Sequence, residues 1–292
     1  MAERAGLSKA GAYSCPKMSG PGPGGEAADD DYEYRGLIAE AWDVFRANAP
    51  SWPDVAFYRN VIQASGQPVL DVGCATGRLV LAYLEEGIDA DAVDVSPEML
   101  AIVRRKAAER GVDVSGRLFQ QQLETLALPR RYRTIVVSSS TFQLLTDLAA
   151  ATEALRRLYA HLEPGGTLVM SLMLLWKQEP PAPRFTTEWS GWREAVRASD
   201  GAIFRRRSRS TFDMVQQVES TEDEYELVRH GRVVAAEAHA RSPATRWYTQ
   251  AQALALLHEV GFTEARLTSE FTLQPAKPDD SLFCVLANRP AA

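Results

Sequence analysis

The stretch Val69-Leu70-Asp71-Val72-Gly73-Cys74-Ala75-Thr76-Gly77-Arg78 decides the fold of this chain. Its first four residues are mostly apolar and predict a buried strand, the small residues after them predict a turn, and a helical pattern follows. Glycine at positions 73 and 77 permits positive φ angles and lets a ligand come close to the backbone. The stretch therefore predicts a strand, a ligand-binding loop and a helix in direct succession.

The glycine spacing and the charge of this loop indicate which ligand it binds. A dinucleotide-binding loop would carry glycine at relative positions 1, 3 and 6, which are Gly73, Ala75 and Arg78 here. Asp71 would repel a pyrophosphate at short range but would attract a cation. S-adenosylmethionine fits because it has an ammonium group and a sulfonium but no phosphate. Asp94 ends the next predicted strand, and its two oxygens can accept hydrogen bonds from both ribose hydroxyls.

The alternation of strands and helices beyond this loop predicts the architecture. Strands are expected at 90–95, 117–120, 134–138 and 167–172, with helices at 77–86, 96–111 and 148–162. Helical crossovers between successive strands imply a parallel, doubly wound α/β sheet. A helix at 254–260 and strands at 265–273 and 282–287 complete a Rossmann-like sheet of seven strands.

Departures from this rhythm divide the chain into parts. Residues 1–30, rich in Gly, Pro, Ala and Ser, predict a disordered leader, and residues 31–66 predict cap helices. Residues 67–175 and 248–292 form the expected core domain. The segment 176–247 begins with prolines and three tryptophans. Its part 203–239 then has alternating strand patterns and a hairpin turn at His230-Gly231, which predicts an inserted antiparallel sheet. We expect this insert to act as a lid or substrate subdomain, and its exposed strands also allow a homodimer.

The composition of the 292-residue chain argues against several functions. Its 32 basic and 38 acidic residues give a net charge of −6, so nucleic acid is not an expected partner. The three cysteines, at positions 15, 74 and 284, are far apart and fit a reducing, cytoplasmic setting. The four histidines lack the spacing of a metal site, so no metal is expected. No secretion signal or membrane span is expected, because no stretch has the required apolar length.

Four motifs resemble those of a known family, the class I S-adenosylmethionine-dependent methyltransferases. They are LDVGCATGR (70–78), VDVSPEMLA (93–101), LEPGGTLVM (162–170) and RWYT (246–249), which is followed by a helix and Gly261-Phe262. The resemblance runs from about Tyr32 to Arg289. Within the family, the chain is most similar to the small-molecule branch that includes glycine and sarcosine N-methyltransferases and amino-sugar N-methyltransferases.

The resemblance implies a cofactor site at the carboxyl edge of the sheet. The glycine-rich turn would hold the methionine part, with Arg78 assisting its carboxylate, while Asp94 takes the ribose and neighbouring residues surround the adenine. The implied cofactor-binding residues are Asp71, Gly73, Cys74, Ala75, Gly77, Arg78, Asp94, Val95, Met99, Gln121, Gln122, Leu123 and Ser138. The stretch 138–143 follows the fourth predicted strand and should meet both cofactor and substrate.

Three positions depart from the family pattern. Ala75 replaces the commonest middle glycine of the loop. Gln122 stands at the acidic position that contacts adenine, where its amide oxygen could still accept a hydrogen bond from the exocyclic amine. Arg133 stands where an aspartate often precedes the fourth strand, so the contact usually made there is in doubt.

The acceptor site is less clearly marked by the sequence. Gln143, His239 and Tyr248 are candidates for substrate orientation or proton removal, although alignment and desolvation alone can support methyl transfer. The candidates for the substrate pocket are Tyr34, Trp42, Trp176, Trp189 and Arg246. The run 205–207 and Arg209 look like an RNA-binding stripe, but alternation along a strand would send these arginines to both faces of a solvated sheet.

These features predict a methyltransferase that moves the cofactor's methyl group by direct displacement to a nitrogen or oxygen of a small molecule, leaving S-adenosylhomocysteine. Two alternatives stay open at this point. One is methylation of RNA or protein, which predicts strong salt dependence and an open basic groove. The other is a protein that binds S-adenosylmethionine without transferring its methyl group, because a fold does not fix a function.

Overall fold

Twelve strands and six α-helices form the described part of the chain. The structure is a computed structural model and describes residues 34–47, 53–176 and 178–291. The strands are β1 (Val69–Val72), β2 (Ala90–Asp94), β3 (Leu118–Gln120), β4 (Tyr132–Val137), β5 (Leu162–Met173), β6 (Arg184–Thr186), β7 (Arg193–Val196), β8 (Ile203–Asp213), β9 (Val218–Arg229), β10 (Arg232–Arg246), β11 (Thr263–Ser269) and β12 (Leu282–Asn288). The helices are α1 (Gly36–Ala47), α2 (Asp54–Ser65), α3 (Arg78–Glu85), α4 (Pro97–Arg110), α5 (Leu148–His161) and α6 (Gln250–Val260). The predicted leader 1–30 lies outside the described residues.

Seven strands form one sheet in the order β11-β12-β5-β4-β1-β2-β3. The five adjacent strands β5, β4, β1, β2 and β3 are parallel to one another. β12 runs antiparallel to both β5 and β11. All residues of β1 and β2 are buried, because helices cover both faces of the sheet. The predicted doubly wound α/β sheet of seven strands is confirmed.

Local sequence explains where the helices start and stop. The Ser96 side chain accepts a hydrogen bond from the N–H of Met99, Pro97 follows at the first helical position, and Gly111 ends α4 with a φ of 69°. Thr249 and Gln252 form a reciprocal capping box at the start of α6. These caps lie where the sequence predicted them.

The largest differences from the predicted strand boundaries are in β11 and β5. The sixth strand of the large sheet was expected at 265–273, but β11 ends at Ser269 because Glu270 adopts a φ of 49° and a turn follows. β5 begins at Leu162 rather than at 167, since a register shift against β4 accommodates the Pro164–Gly166 segment inside the strand.

The insert is a five-stranded antiparallel sheet in the order β10-β9-β8-β6, with β7 also paired to β8. His230 and Gly231, with φ angles of 49° and 73°, form the predicted hairpin turn between β9 and β10. One face of this sheet, here called the inner face, packs Phe204, Tyr225 and Leu227 against α1. The opposite face is called the outer face. The two short strands β6 and β7 lie before residue 203, outside the part of the insert whose alternating pattern predicts strands.

Gln143 joins the insert to the core at both of its connections. Its amide nitrogen donates to the carbonyl oxygens of Met173 (2.9 Å) and Arg246 (3.0 Å), and its amide oxygen accepts from the N–H of Met173 (2.8 Å). Met173 ends β5, where the chain leaves the core, and Arg246 ends β10, where it returns. The side chain is completely buried, so these bonds are made away from competing water.

Gln143→Leu should lower the free energy of unfolding by about 2–4 kcal/mol, because it leaves buried backbone groups at both connections without partners. Urea denaturation measures this change. Gln216→Leu, at an exposed position, is the matched control and should stay close to the wild type. A Gln143→Leu protein as stable as the wild type would contradict a stabilising role of the Gln143 hydrogen bonds.

Candidate active site

The loop between β1 and α3 is held in an unusual backbone conformation. Gly73, Ala75 and Gly77 have φ angles of 66°, 46° and 80°. A Cβ atom at position 73 would collide with the Thr141 side chain, and one at position 77 would lie 2.9 Å from a methyl group of Val103. Both glycines are therefore required by conformation and by close packing.

The Asp94 carboxylate fixes this loop to the end of β2. Its Oδ2 accepts a hydrogen bond from the N–H of Ala75 (2.8 Å) and its Oδ1 accepts one from the N–H of Ser96 (2.9 Å). Burial raises the pKa of the Asp94 carboxyl, against the lowering effect of these hydrogen bonds. Each oxygen keeps a second lone pair, so the carboxylate can hold the loop and also accept hydroxyl donors.

Asp71 has a buried oxygen with no partner. Its Oδ2 accepts from the N–H of Val80 (3.2 Å) in the first turn of α3, whereas Oδ1 has no hydrogen-bond partner among the described residues. Burial raises the pKa of this carboxyl to about 7, although Arg78 opposes the shift. An unsatisfied buried polar atom costs about 1–3 kcal/mol, so a bound cationic donor would be stabilised here.

Arg78 and Arg46 have different surroundings. Arg78 donates through both Nη atoms to the fully buried Asp54 of α2, at 2.9 and 2.6 Å. Arg46 lies on α1 with its guanidinium 5.1 Å from the centre of the Trp42 ring, and it forms no ion pair within the described ranges. Burial, and then the neighbouring Arg78, lower the pKa of Arg46. The charge of Arg78 is therefore paired with Asp54, whereas Arg46 has no ion-pair partner among the described residues; the predicted contact of Arg78 with the cofactor stays a prediction.

Sequence analysis did not identify Arg46. It follows no motif, and the only signal is a basic residue in the last turn of an amphipathic helix that precedes the core. Its relevance depends on α1 packing beside the loop, which the sequence pattern does not specify.

Helix α1 is attached to the loop by side-chain hydrogen bonds. Thr76 donates its hydroxyl hydrogen to Asp43 (2.6 Å), and Lys106 donates to both Asp43 (3.0 Å) and the Thr76 carbonyl (2.8 Å). Before the helix, the Ser96 hydroxyl donates to the carbonyl of Tyr34 (2.7 Å). These bonds hold α1 beside the carboxyl ends of β1 and β2.

The first N–H groups of α1 bind two carboxylates from different parts of the fold. Gly36 donates to Glu98 of α4 (2.6 Å), and Leu37 donates to Glu237 of β10 (2.9 Å). Negative charge at a helix N-terminus is favourable, so α1 links the core to the insert. His239 pairs with the same Glu237 carboxylate at 3.0 Å.

The three catalytic candidates, Gln143, His239 and Tyr248, differ in their hydrogen-bond partners. The Gln143 amide is occupied by backbone groups, and His239 is paired with the carboxylate that caps α1. The Tyr248 hydroxyl is buried without a partner in the described structure, and burial raises its pKa to about 12. Gln143 and His239 thus have partners within the protein, and the catalytic roles of all three residues stay predictions.

The predicted pocket residues have different surroundings, and their roles in a substrate pocket stay predictions. Tyr34 and Trp42 pack edge to face with their ring centres 4.9 Å apart, beside α1. Trp189 lies on the outer face of the insert, under the guanidinium groups of Arg207 and Arg209. It is therefore separated from Tyr34 and Trp42. Arg246 donates to the carbonyl oxygens of Thr146 and Gln216, so its charge is used in the connection between insert and core.

The remaining predicted cofactor residues border the loop or the neighbouring strand ends. Met99, Ser138 and the Cys74 thiol are buried, Val95 is half-buried, and burial raises the pKa of Cys74 well above its usual value. Leu123 packs against the core. Gln122 is exposed, whereas the Gln121 amide bonds to the backbone of Ala127.

The arginines of β8 are paired with acidic residues on both faces of the insert. Arg207 and Arg209 bind Glu224 and Glu222 on the outer face. Arg206 alternates to the inner face, where it binds Asp223. The arginine stripe is thus largely neutralised, which disfavours a nucleic-acid groove.

A cavity of about 400 Å³ lies at the opposite, amino edge of the parallel strands. It is lined in part by Arg133, which donates to the carbonyl oxygens of Ser65 and Pro164. Arg133 therefore lies away from the glycine loop. In an open α/β sheet the ligand is expected at the carboxyl edge, where the loop, Asp71 and Asp94 lie.

Comparison with known proteins agrees with this geometry. Residues 69–166 match the family model described as a methyltransferase domain. A ubiquinone biosynthesis O-methyltransferase of Xanthomonas euvesicatoria pv. vesicatoria is 31% identical over 114 residues, which are 38% of this chain and 45% of that protein. The chain thus matches less than half the length of this relative.

Two solved structures share the fold over most of their length. The CcbJ methyltransferase from Streptomyces caelestis is similar with a TM-score of 0.67 at 20% identity, over 87% of this chain and 96% of that one. The sugar N-methyltransferase KedS8 from Streptoalloteichus sp. is similar with a TM-score of 0.64 at 20% identity, over 91% of this chain and 100% of that one.

None of the described helices is long and apolar enough to cross a membrane. Residues 69–166 of the chain are therefore similar to a methyltransferase domain.

Proposed function

We propose that this protein is an enzyme that uses S-adenosylmethionine to methylate a nitrogen or oxygen of a small molecule. The observation that carries the proposal is the unpartnered buried oxygen of Asp71 next to the Asp94 carboxylate and the glycine loop. A cationic, phosphate-free nucleoside is the ligand that this set of charges fits. The name of the neighbour KedS8, a sugar N-methyltransferase, supports a small acceptor.

The charged groups of the site match the charged groups of the cofactor. Asp71 would bind the ammonium group and Asp94 the ribose hydroxyls, because each offers carboxylate lone pairs that protein donors do not fill. Arg46 would bind the carboxylate of the methionine part, since its guanidinium is partly buried and free of ion pairs in the described structure. The cofactor supplies a methyl group bonded to a positively charged sulfur.

The chain itself would act by orientation and by exclusion of water. Helix α1 and the inner face of the insert lie over the carboxyl edge and are held there by the bonds of Asp43, Glu237 and Gln143. A dry, prealigned site favours direct displacement, which does not require a dedicated base. The pairing of the β8 arginines argues against RNA as the acceptor.

Arg46→Met should weaken binding of S-adenosylhomocysteine by about tenfold or more while leaving thermal stability nearly unchanged, because it removes one charged hydrogen-bond donor from the ligand. Arg78→Met should instead lower the free energy of unfolding by about 3 kcal/mol, since it leaves the buried Asp54 unpaired. Isothermal titration and thermal melts of both variants measure these effects. If only Arg78→Met binds S-adenosylhomocysteine weakly, and does so without losing stability, Arg78 and not Arg46 binds the carboxylate of the ligand.

Labelled methyl transfer from S-adenosylmethionine tests the activity. A panel of small amines, phenols and carboxylic acids is compared with bulk RNA and protein at two salt concentrations, and label is expected in one small-molecule class. Asp94→Asn should reduce both cofactor affinity and transfer, because it loses carboxylate charge at the ribose, whereas the exposed Asp279→Asn should match the wild type. Label only in RNA or protein would contradict a small acceptor, and binding without any transfer would favour the binding-only alternative.

A further inference from the structure

An aromatic cluster lies where the insert meets the core. Trp176 lies 4.6 Å from Phe185 and 5.2 Å from Phe212, measured between ring centres, and Phe212 lies 6.3 Å from Trp247. These four residues are called the aromatic cluster. The indole N–H of Trp176 is buried and has no hydrogen-bond partner among the described residues. The cluster therefore combines packed aromatic rings with one buried donor that has no partner among the described residues.

Glu219 lies beside this cluster on the inner face. It pairs across the sheet with Phe212 of β8 and with Thr245 of β10, so the three side chains leave the same face. The unbroken register of β8 and β9 puts them on the face of Phe204 and Tyr225, which packs against α1. Glu219 is thus directed to the side of the insert that covers the core.

The inner face also lies close to the cofactor side of the site. Arg206, on this face, interacts electrostatically with Tyr34, and the Tyr34 carbonyl accepts a hydrogen bond from Ser96, two residues after Asp94. At the other end, Trp247 follows Arg246, whose carbonyl is bound by Gln143 at the carboxyl edge of the large sheet. The inner face therefore spans the region where an acceptor would meet the cofactor.

Glu219 forms no ion pair with a described residue. Arg206 interacts with it electrostatically, but both hydrogen bonds that Arg206 donates go to one oxygen of Asp223. Burial raises the pKa of the Glu219 carboxyl, and Ser210 provides a hydrogen bond that acts in the opposite direction. A partly buried carboxylate without a counter-ion is costly, so it is stabilised when a cation binds.

We propose that Glu219 is the specificity-determining residue that binds a cationic amine of the acceptor, with the aromatic cluster receiving the amine's apolar neighbour. The proposal rests on the proposed methyltransferase function and narrows its acceptor to an amine. The bound ammonium group releases one proton to solvent before its nitrogen lone pair attacks the methyl carbon and the sulfur leaves as S-adenosylhomocysteine. A carboxylate gives a charge-assisted hydrogen bond to an ammonium group, and tryptophan and phenylalanine faces attract the same cation. An alcohol of the same shape would gain neither interaction.

The test uses benzylamine and benzyl alcohol as matched probes with the full chain saturated with S-adenosylhomocysteine. Tryptophan fluorescence or calorimetry should show that benzylamine binds at least about tenfold more tightly than benzyl alcohol. Glu219→Gln should lose this preference while its affinity for S-adenosylhomocysteine and its melting temperature stay unchanged. Glu222→Gln, on the outer face of the same strand, is the matched control and should keep the preference.

Equal binding of the two probes, no saturable binding of benzylamine, or an unchanged preference in Glu219→Gln would each overturn the proposal. A methyl-transfer panel separates this failure from a failure of the proposed function. Transfer to phenols or carboxylic acids, but not to amines, would leave the methyltransferase intact and remove the role of Glu219. For an amine acceptor, Glu219→Gln should raise KM at least about tenfold and change kcat less.

Discussion

The two hydrogen bonds accepted by the Asp94 carboxylate organise the rest of the site. They join the N–H of Ala75, in the middle of the glycine loop, to the N–H of Ser96, at the start of α4. Ala75 has a φ of 46°, a conformation that costs a non-glycine residue about 1–3 kcal/mol. The bond from Ala75 to a buried carboxylate offsets part of this cost. The loop is therefore preformed before any ligand binds, which lowers the entropy that binding must overcome.

From this carboxylate the polar contacts extend outward to every part that surrounds the site. Ser96 connects to Tyr34, and Thr76, inside the loop, connects through Asp43 to α1. Helix α1 in turn binds Glu237 of the insert, and Gln143 holds the two connections of that insert. Core, cap helix and insert are thus joined through side-chain hydrogen bonds around one edge of the sheet. If the proposed function holds, this arrangement would let a small set of residues both bind the cofactor and exclude water from it.

Much of this fold could be predicted from local sequence. The strand-turn-helix pattern around Gly73, the helix cap at Ser96 and the hairpin at His230 depend on neighbours in the chain, and all three were confirmed. Asp71 and Asp94 were also identified as candidates, because their positions at strand ends follow from the alternation of elements. Their roles in binding stay predictions.

The rest depends on contacts between distant segments. Arg78 looks available in the sequence, but a carboxylate from the preceding helix, Asp54, neutralises it. Gln143 looks like a substrate contact, yet its partner Arg246 is 103 positions away. Arg46 and Glu219 carry no motif, and their surroundings exist only once α1 and the insert are packed. Side-chain function in this protein is therefore fixed by tertiary partners more than by local pattern.

A crystal structure of the chain with S-adenosylhomocysteine tests the account most directly. The account predicts the ribose hydroxyls within hydrogen-bond distance of Asp94, the ammonium group at Asp71 and the carboxylate at Arg46, all at the carboxyl edge of the sheet. Two results would contradict this prediction. One is a ligand bound at the opposite edge of the sheet, in the cavity beside Arg133, and the other is a ligand bound at the loop without contact to Asp94.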